Sequence, residues 1–320
     1  MNKKVSILIP LYNSEKYISQ TIDSCLNQSY LNIEIIIIDD GSTDRSLEIA
    51  REYEKRYNNI IVQSQKNSGA SKARNRAFEL SSGEYIQYID ADDLLDNQKI
   101  ALQMEALADR DNRVVAFGRW GEFQKNIDKT IWRDLPVNKS YNEPKKFLLE
   151  LWSSGMATIT HLWLTPRVLI KKSGGWNESL KRNQDGEFFA RIVSLSSGVY
   201  FVKESLGYYR KENTQSISKQ VSPKALESQL DSFETYIRLM DNELDKIEVR
   251  KSLALVYSRF IYNTDLSHKE LITKAQKKLE LLGFKKPIMP LSKYELFLSY
   301  LFGIYGTIWI RQIAKKILKR

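Results

Sequence analysis

Residues 33–40 read IEIIIIDD. Five isoleucines in six positions are too continuous for a half-exposed strand, whose apolar residues would alternate. They fit a parallel strand covered on both faces. The run ends on two carboxylates, Asp39 and Asp40. Upstream, VSILIPLY (5–12) has the same character. Between them, SEKYISQTIDSCLNQSY (14–30) carries Tyr17, Ile18, Ile22, Cys25 and Leu26 at helical spacing, with Ser14 as the expected N-cap. Downstream, SLEIAREYEKRY (46–57) predicts a second helix, NIIVQSQ (59–65) a third strand and ASKARNRAFELS (70–81) a third helix closed by Gly83. EYIQYID (84–90) gives a fourth strand. This β-α-β-α-β-α-β order predicts an open parallel sheet with right-handed crossovers.

In such sheets ligands bind beyond the carboxyl ends of the strands. The polar residues obey that rule. Tyr12 and Asn13 follow the first strand, and Asp39-Asp40-Gly41-Ser42 the second. Asn67-Ser68-Gly69 follow the third, and Asp90, Asp92 and Asp93 the fourth. Asp90-x-Asp92 places two carboxylates on one face of an extended segment. They repel unless something positive sits among them. Oxygen ligands without His or Cys suit Mg²⁺ or Mn²⁺. The competing reading of each Asp cluster is a solvated turn or helix cap, with Ser42 or Thr43 capping the helix after Gly41.

The bulk numbers narrow the class. The 320 residues allow one large domain with an appendage, or two domains. A single cysteine, Cys25, excludes an intramolecular disulfide and a Cys-rich zinc site. Two histidines, His161 and His268, argue against a His-based one. The first apolar run is short and broken by Pro10, which argues against a signal peptide and for a cytoplasmic chain. The net charge of +10 calls for an anionic partner or surface. No nucleic-acid partner is expected, because basic and aromatic residues gather in one apolar tail rather than along a groove.

Six ordered motifs carry a resemblance: ILIPLYNSEKYISQTIDSCLNQSY, IIIIDDGSTDRS, NSGASKARNRAF, GEYIQYIDADD, GGWNESL and NQDGEFFAR. Together they resemble the family 2 glycosyltransferases of the GT-A fold, nucleotide-sugar enzymes common in bacterial polysaccharide assembly. The resemblance covers residues 3 to about 218. It implies an α/β fold, a Rossmann-like, mostly parallel sheet flanked by helices, in a domain over 1–220. Within it, 1–115 would be the nucleotide-sugar half and 116–220 the acceptor half. A helical C-terminal region over 221–320 would end in an apolar and basic tail, 291–320.

The resemblance also implies roles. Pro10, Leu11 and Tyr12 would contact the nucleoside, and Asp40 would accept the N–H of a uracil-like base. Asn67, Gly69 and Arg74 would lie beside the nucleotide, with Arg74 as an alternative buttress of the Asp cluster. Asp90 and Ala91 would belong to the donor site, near ribose or metal, and Asp92 would bind Mn²⁺ or Mg²⁺. Asp185 takes the catalytic-base position, although Gln184 stands before it where the family often has Glu. Arg210 and Lys211 open a loop, YYRKENTQSISKQ (208–220), that could hold the diphosphate; Glu212 stands where relatives often carry His. No Gln-x-x-Arg-Trp motif is present, which implies one sugar per encounter. The implied reaction is inverting transfer from a UDP-sugar to a saccharide acceptor linked to a polyprenyl diphosphate. A sugar-nucleotide binding protein without catalysis is the alternative, and an oligomer is left open.

The tail raises its own question. Residues 294–310, YELFLSYLFGIYGTIWI, are apolar and aromatic, and RQIAKKILKR follows with five Lys/Arg and no acid. Seventeen residues lie at the lower edge for a membrane span. An interfacial helix on the inner, anionic face of the membrane is taken first, a buried docking helix second and a single span last.

Overall fold

In a computed structural model the chain is described over residues 3–211, 222–289 and 292–318. It divides into two units. The first is built from the described residues up to Leu148 and from Ala157 to Lys211. The second comprises Leu149–Met156 and the described residues from Ser222 on.

The first unit opens with β1 (Val5–Leu11), α1 (Ile18–Leu26), β2 (Ile33–Asp39), α2 (Ser46–Arg56), β3 (Ile60–Ser64), α3 (Ala70–Leu80) and β4 (Tyr85–Tyr88). β1 pairs in parallel with both β2 and β4, and β3 pairs in parallel with β2. Ile35–Ile38 are fully buried, as a doubly covered strand requires. Burying isoleucine side chains in this way contributes about 1.5–3 kcal/mol each.

After β4 the chain adds further strands to the sheet, with helices between them. β5 (Leu94–Leu95), α4 (Lys99–Ala106), β6 (Val114–Phe123), β7 (Ile131–Arg133), α5 (Pro144–Ser154), β8 (Trp163–Pro166), α6 (Arg167–Ser173), α7 (Gln184–Leu195) and β9 (Gly198–Arg210) follow in turn. They extend the sheet to the order β3-β2-β1-β4-β8-β6-β9-β5, with β7 on β6. β8 runs antiparallel to β4 and β6, while β6 and β9 pair in parallel with an irregularity after Phe117.

Two expected caps are corrected. Ser14 does not cap α1: its carbonyl accepts from the Tyr17 and Ile18 N–H groups, and its hydroxyl donates to the Tyr12 carbonyl. Neither Ser42 nor Thr43 caps α2. The Ser46 N–H donates to the Asp44 carboxylate, and the Arg45 N–H to Glu15. Ser42 and Thr43 instead meet Asn13, through Asn13 N–H to Ser42 Oγ (3.0 Å) and Thr43 N–H to Asn13 Oδ1 (2.8 Å). Asn13 holds a positive φ of 44° to do so. These bonds tie the loops after β1 and β2 together.

Gly207 on β9 faces the buried His161 ring. A Cβ built there would lie 2.5 Å from His161 Cδ2. Gly207→Ala should therefore cost about 1–3 kcal/mol, the usual result of overpacking. A thermal melt would read this as a lower Tm; an unchanged Tm would mean the ring can move aside.

The second unit is helical: α8 (Pro223–Leu239), α9 (Ile247–Asn263), α10 (Lys269–Leu281) and α11 (Lys293–Leu318), together with the end of α5. Trp152 stacks on Tyr236 with centroids 4.5 Å apart, and Phe233 meets Tyr257 edge-on. The Arg259 guanidinium donates to the carbonyls of Trp152 and Ser153. Among the described residues no helix is long and apolar enough to cross a membrane.

Candidate active site

The site lies where the first four strands end. β2 delivers Asp39 and Asp40, both buried. Asp39 accepts from the Ser42 N–H and the Ser64 hydroxyl. Asp40 accepts from the Gln65 side chain (2.8 Å), the Ser68 N–H (2.8 Å) and the Gly69 N–H (2.7 Å). Its carboxylate thus shapes the loop after β3, in which Asn67 is exposed and Gly69 holds φ 96°. Only a residue tolerant of positive φ fits there at low cost. Tyr12 is 47% exposed just after the end of β1. Leu11, expected to touch the nucleoside, is fully buried in the core, and its carbonyl accepts from the Asp40 N–H. Its side chain acts as a spacer that leaves Tyr12 outermost. Pro10 is half-buried.

The question of what offsets the carboxylates after β4 has a first answer in Arg74. Its guanidinium, on α3, lies 2.6 Å from Asp90 Oδ1 and stacks over Trp176 at 4.4 Å. Trp176 in turn stacks flat on Phe188 of α7, with centroids 4.1 Å apart. The next residue on α3, Asn75, clamps the turn that carries Trp176. Its amide donates to the Trp176 carbonyl (2.9 Å) and its oxygen accepts the Trp176 N–H (2.8 Å). Two neighbours on one helix thereby hold both the Asp cluster and the GGW turn.

Arg210 is the second answer. Its guanidinium donates to the Asp92 carbonyl (2.8 Å) and to Gln20 (2.7 Å), and it stacks on Tyr17 and Phe123. It is 5% exposed. The structure uses it as a strut behind Asp92, where a diphosphate contact was expected. Lys211 pairs with Glu122 at 2.6 Å. Residues 212–220 of that loop lie outside the described residues.

Asp93 points the other way. It is buried, with one oxygen 3.0 Å from His161 Nδ1 and the other accepting the Arg210 N–H at 2.9 Å. Burial, and then the Asp90 charge, raise its carboxyl well above the ordinary range. Burial pushes His161 down to about 3, so the ring is neutral. Lys99, equally buried, is pushed well below the usual lysine range by desolvation, and its amine donates to Gln87 and Gln103. This polar core beneath β4 and β8 was not anticipated from the sequence; a lone His and a lone Lys give no signal of it.

Asp185 sits in the first turn of α7, after Asn183 at φ 59°. Burial raises its carboxyl above the usual range. N–H groups of the helix start and the Arg74 charge oppose that, and the Asp90 charge reinforces it. Asp185 therefore shares its electrostatic neighbourhood with Arg74 and Asp90. Gln184 turns back, its amide donating to the Leu180 carbonyl at 2.7 Å.

Asp90 and Asp92 are both partly exposed at the strand end, and Ala91 between them is buried. Two accessible carboxylates are a donor set that fits a hard divalent cation sharing its shell with water and phosphate oxygens. Among the described residues no group of three His, Cys, Asp or Glu side chains forms a complete protein cage. A cation held by one or two carboxylates needs none.

Residues 6–172 match the family model described as glycosyl transferase family 2. The putative glycosyltransferase EpsH of Bacillus subtilis is 30% identical over 252 residues, 78% of this chain and 72% of that protein. The minor teichoic acid biosynthesis protein GgaB of the same organism is 29% identical over 286 residues. This chain spans only 30% of GgaB. The crystal structure of Staphylococcus aureus TarS 1–349 in complex with UDP-GlcNAc superposes with a TM-score of 0.69 at 19% identity, covering 98% of this chain and 92% of that one. That likeness establishes the GT-A type of fold.

Proposed function

The chain belongs to glycosyl transferase family 2 and is a glycosyltransferase; from that premise we propose that it is an inverting, non-processive enzyme that moves one sugar from a UDP-sugar to a hydroxyl of a lipid-linked saccharide during assembly of a bacterial surface polysaccharide. The observation that supports this reading is the bridge made by Arg74: it lies 2.6 Å from Asp90 and stacks over Trp176, which stacks on Phe188 of α7, the helix whose first turn carries Asp185.

The residues take the following parts. Tyr12, exposed at the end of β1, packs on the nucleobase, and Asp40 accepts a base N–H while holding the Asn67–Gly69 loop in shape. Asp92, with the partly exposed Asp90 beside it, would hold Mn²⁺ or Mg²⁺. When bound, the cation offsets charge developing on the leaving diphosphate. Arg74 keeps a positive charge beside Asp90 at this strand end. Asp185 accepts the proton of the acceptor hydroxyl as its oxygen bonds to the anomeric carbon. The bond from that carbon to the diphosphate breaks on the opposite face, and UDP departs. One displacement inverts the centre and needs no enzyme nucleophile.

UDP comes from the family resemblance, and TarS is a similar fold seen with a UDP-sugar. The surface-polymer setting is supported by the likeness to GgaB. A lipid-borne acceptor implies a peripheral place on the inner face of the cell membrane.

Calorimetric titration of UDP with Mn²⁺, and again with EDTA, tests the donor site. Binding should need the metal, and Asp92→Ala should weaken it about tenfold, the worth of one charge-assisted contact. Silence toward UDP, GDP and dTDP alike would overturn the reading.

A further inference from the structure

α11 is broken at Gly303, where φ 68° and ψ 174° leave the helical region. Both halves present large apolar side chains to solvent. Phe297 and Leu301, four apart, do so before the break, and Tyr305 and Trp309, four apart, after it. Tyr300 is 87% exposed and Trp309 57%. Full burial of one such side chain is worth about 1.5–3 kcal/mol, so a continuous exposed set of this kind marks an interaction surface.

The arm is not loose on the second unit. Leu298, Thr307 and Ile308 are buried. The Tyr262 hydroxyl donates to Glu295, and Gln312 bridges the Thr264 carbonyl and the Leu266 N–H. The apolar face is thus held outward by polar contacts on its inner side.

Composition and charge identify what covers it. The face mixes Trp and Tyr with Phe and Leu, the set that prefers the boundary between headgroups and acyl chains. The sequence that follows is RQIAKKILKR, with five basic residues and no acid. A second copy of the chain would bring the same basic run and a further +10 of charge. No described helix can cross a bilayer. We propose that α11 is a preformed foot, docking in the plane of an anionic lipid surface with its aromatic side chains at headgroup depth. This takes from the proposed function only the lipid-borne acceptor, and it stands or falls separately from the donor site.

The test uses the full chain with vesicles of phosphatidylcholine, alone or mixed with phosphatidylglycerol, read by flotation. Binding should require phosphatidylglycerol and weaken at high salt. Because the foot is already folded, far-ultraviolet circular dichroism should show no gain of helix on binding. Phe297→Ser and Trp309→Ser should each weaken vesicle binding about tenfold. Tyr300→Ser, at a position with almost no contacts to lose, should act in the same direction. UDP affinity and Tm of these variants should match the parent, which separates failure of the foot from failure of the donor site or of folding. No flotation with anionic vesicles, or flotation indifferent to all three substitutions, would overturn the proposal. So would a dimer in sedimentation that the substitutions dissolve, since the face would then be covered by a second copy.

Discussion

Asp185→Asn is expected to lower the rate of sugar transfer by roughly 10²–10⁴-fold, the usual worth of a positioned general base, while UDP binds as before. The reason lies in where Asp185 stands. It is at the start of α7, outside the loops after β1 to β3 to which the nucleotide is assigned here, and Asn can still accept the N–H groups of the helix start. The change removes one capacity, taking a proton. The pH dependence follows from the raised carboxyl. Transfer needs the ionised form, so the acid limb of kcat should lie above the ordinary carboxylate range.

Stability runs the opposite way. A carboxyl whose folded pKa is raised contributes stability that is full below its unfolded pKa and lost as pH rises through the folded one. At neutral pH the ionised Asp185 therefore costs the fold something, and Asn removes that cost. Tm of the variant should be equal or higher. A collapse of transfer together with a lower Tm would mean that Asp185 is structural. Unchanged transfer would remove it as the base.

The same geometry explains what could be read in the chain and what could not. IEIIIIDD was legible because a doubly buried strand needs no alternation, and its neighbours carry clean helical spacing. β6 and β9 were not, because their pairing is long-range and irregular. VVAFGRWGEF carries two glycines, and Gly118 approaches the Ser205 carbonyl too closely for any Cβ. GVYFVKESLGYYR breaks its apolar pattern with Lys203 and Glu204 near the shift in register after Phe117. The caps failed for a local reason: the Ser14 N–H donates to the Ser46 hydroxyl, and Ser42 and Thr43 meet Asn13, bonds across loops that no spacing rule reveals. At the site, carboxylates after strands advertise themselves. Their counter-charges do not, since Arg74 rests on a tryptophan about 100 positions later and Arg210 arrives from the far end of β9. The likeness to the family left Arg74 beside the nucleotide or buttressing the Asp cluster; the geometry pairs it with Asp90, and its charge also acts on Asp185.

That joint role makes Arg74 the second decisive test. Arg74→Met keeps much of the volume over Trp176 and removes the charge. Breaking a buried ion pair costs about 3–5 kcal/mol when both partners are enclosed. The Asp90 side chain is 36% exposed, so water screens what remains, and the expected loss is nearer 1–3 kcal/mol. Transfer at neutral pH should fall by about 10–10²-fold, the worth of one charge-assisted interaction. The informative result is the shape of the pH profile. Arg74 holds the Asp185 carboxyl down; without it the carboxyl rises further, and the acid limb of kcat should move to higher pH. Part of the lost rate should then return on the alkaline side. Arg74→Lys keeps the charge but loses the planar stack and the forked geometry. Its limb should stay near that of the parent while Tm falls. If Arg74→Met lowers kcat equally at every pH, Arg74 only supports the fold, and the electrostatic link between α3 and the base on α7 is wrong.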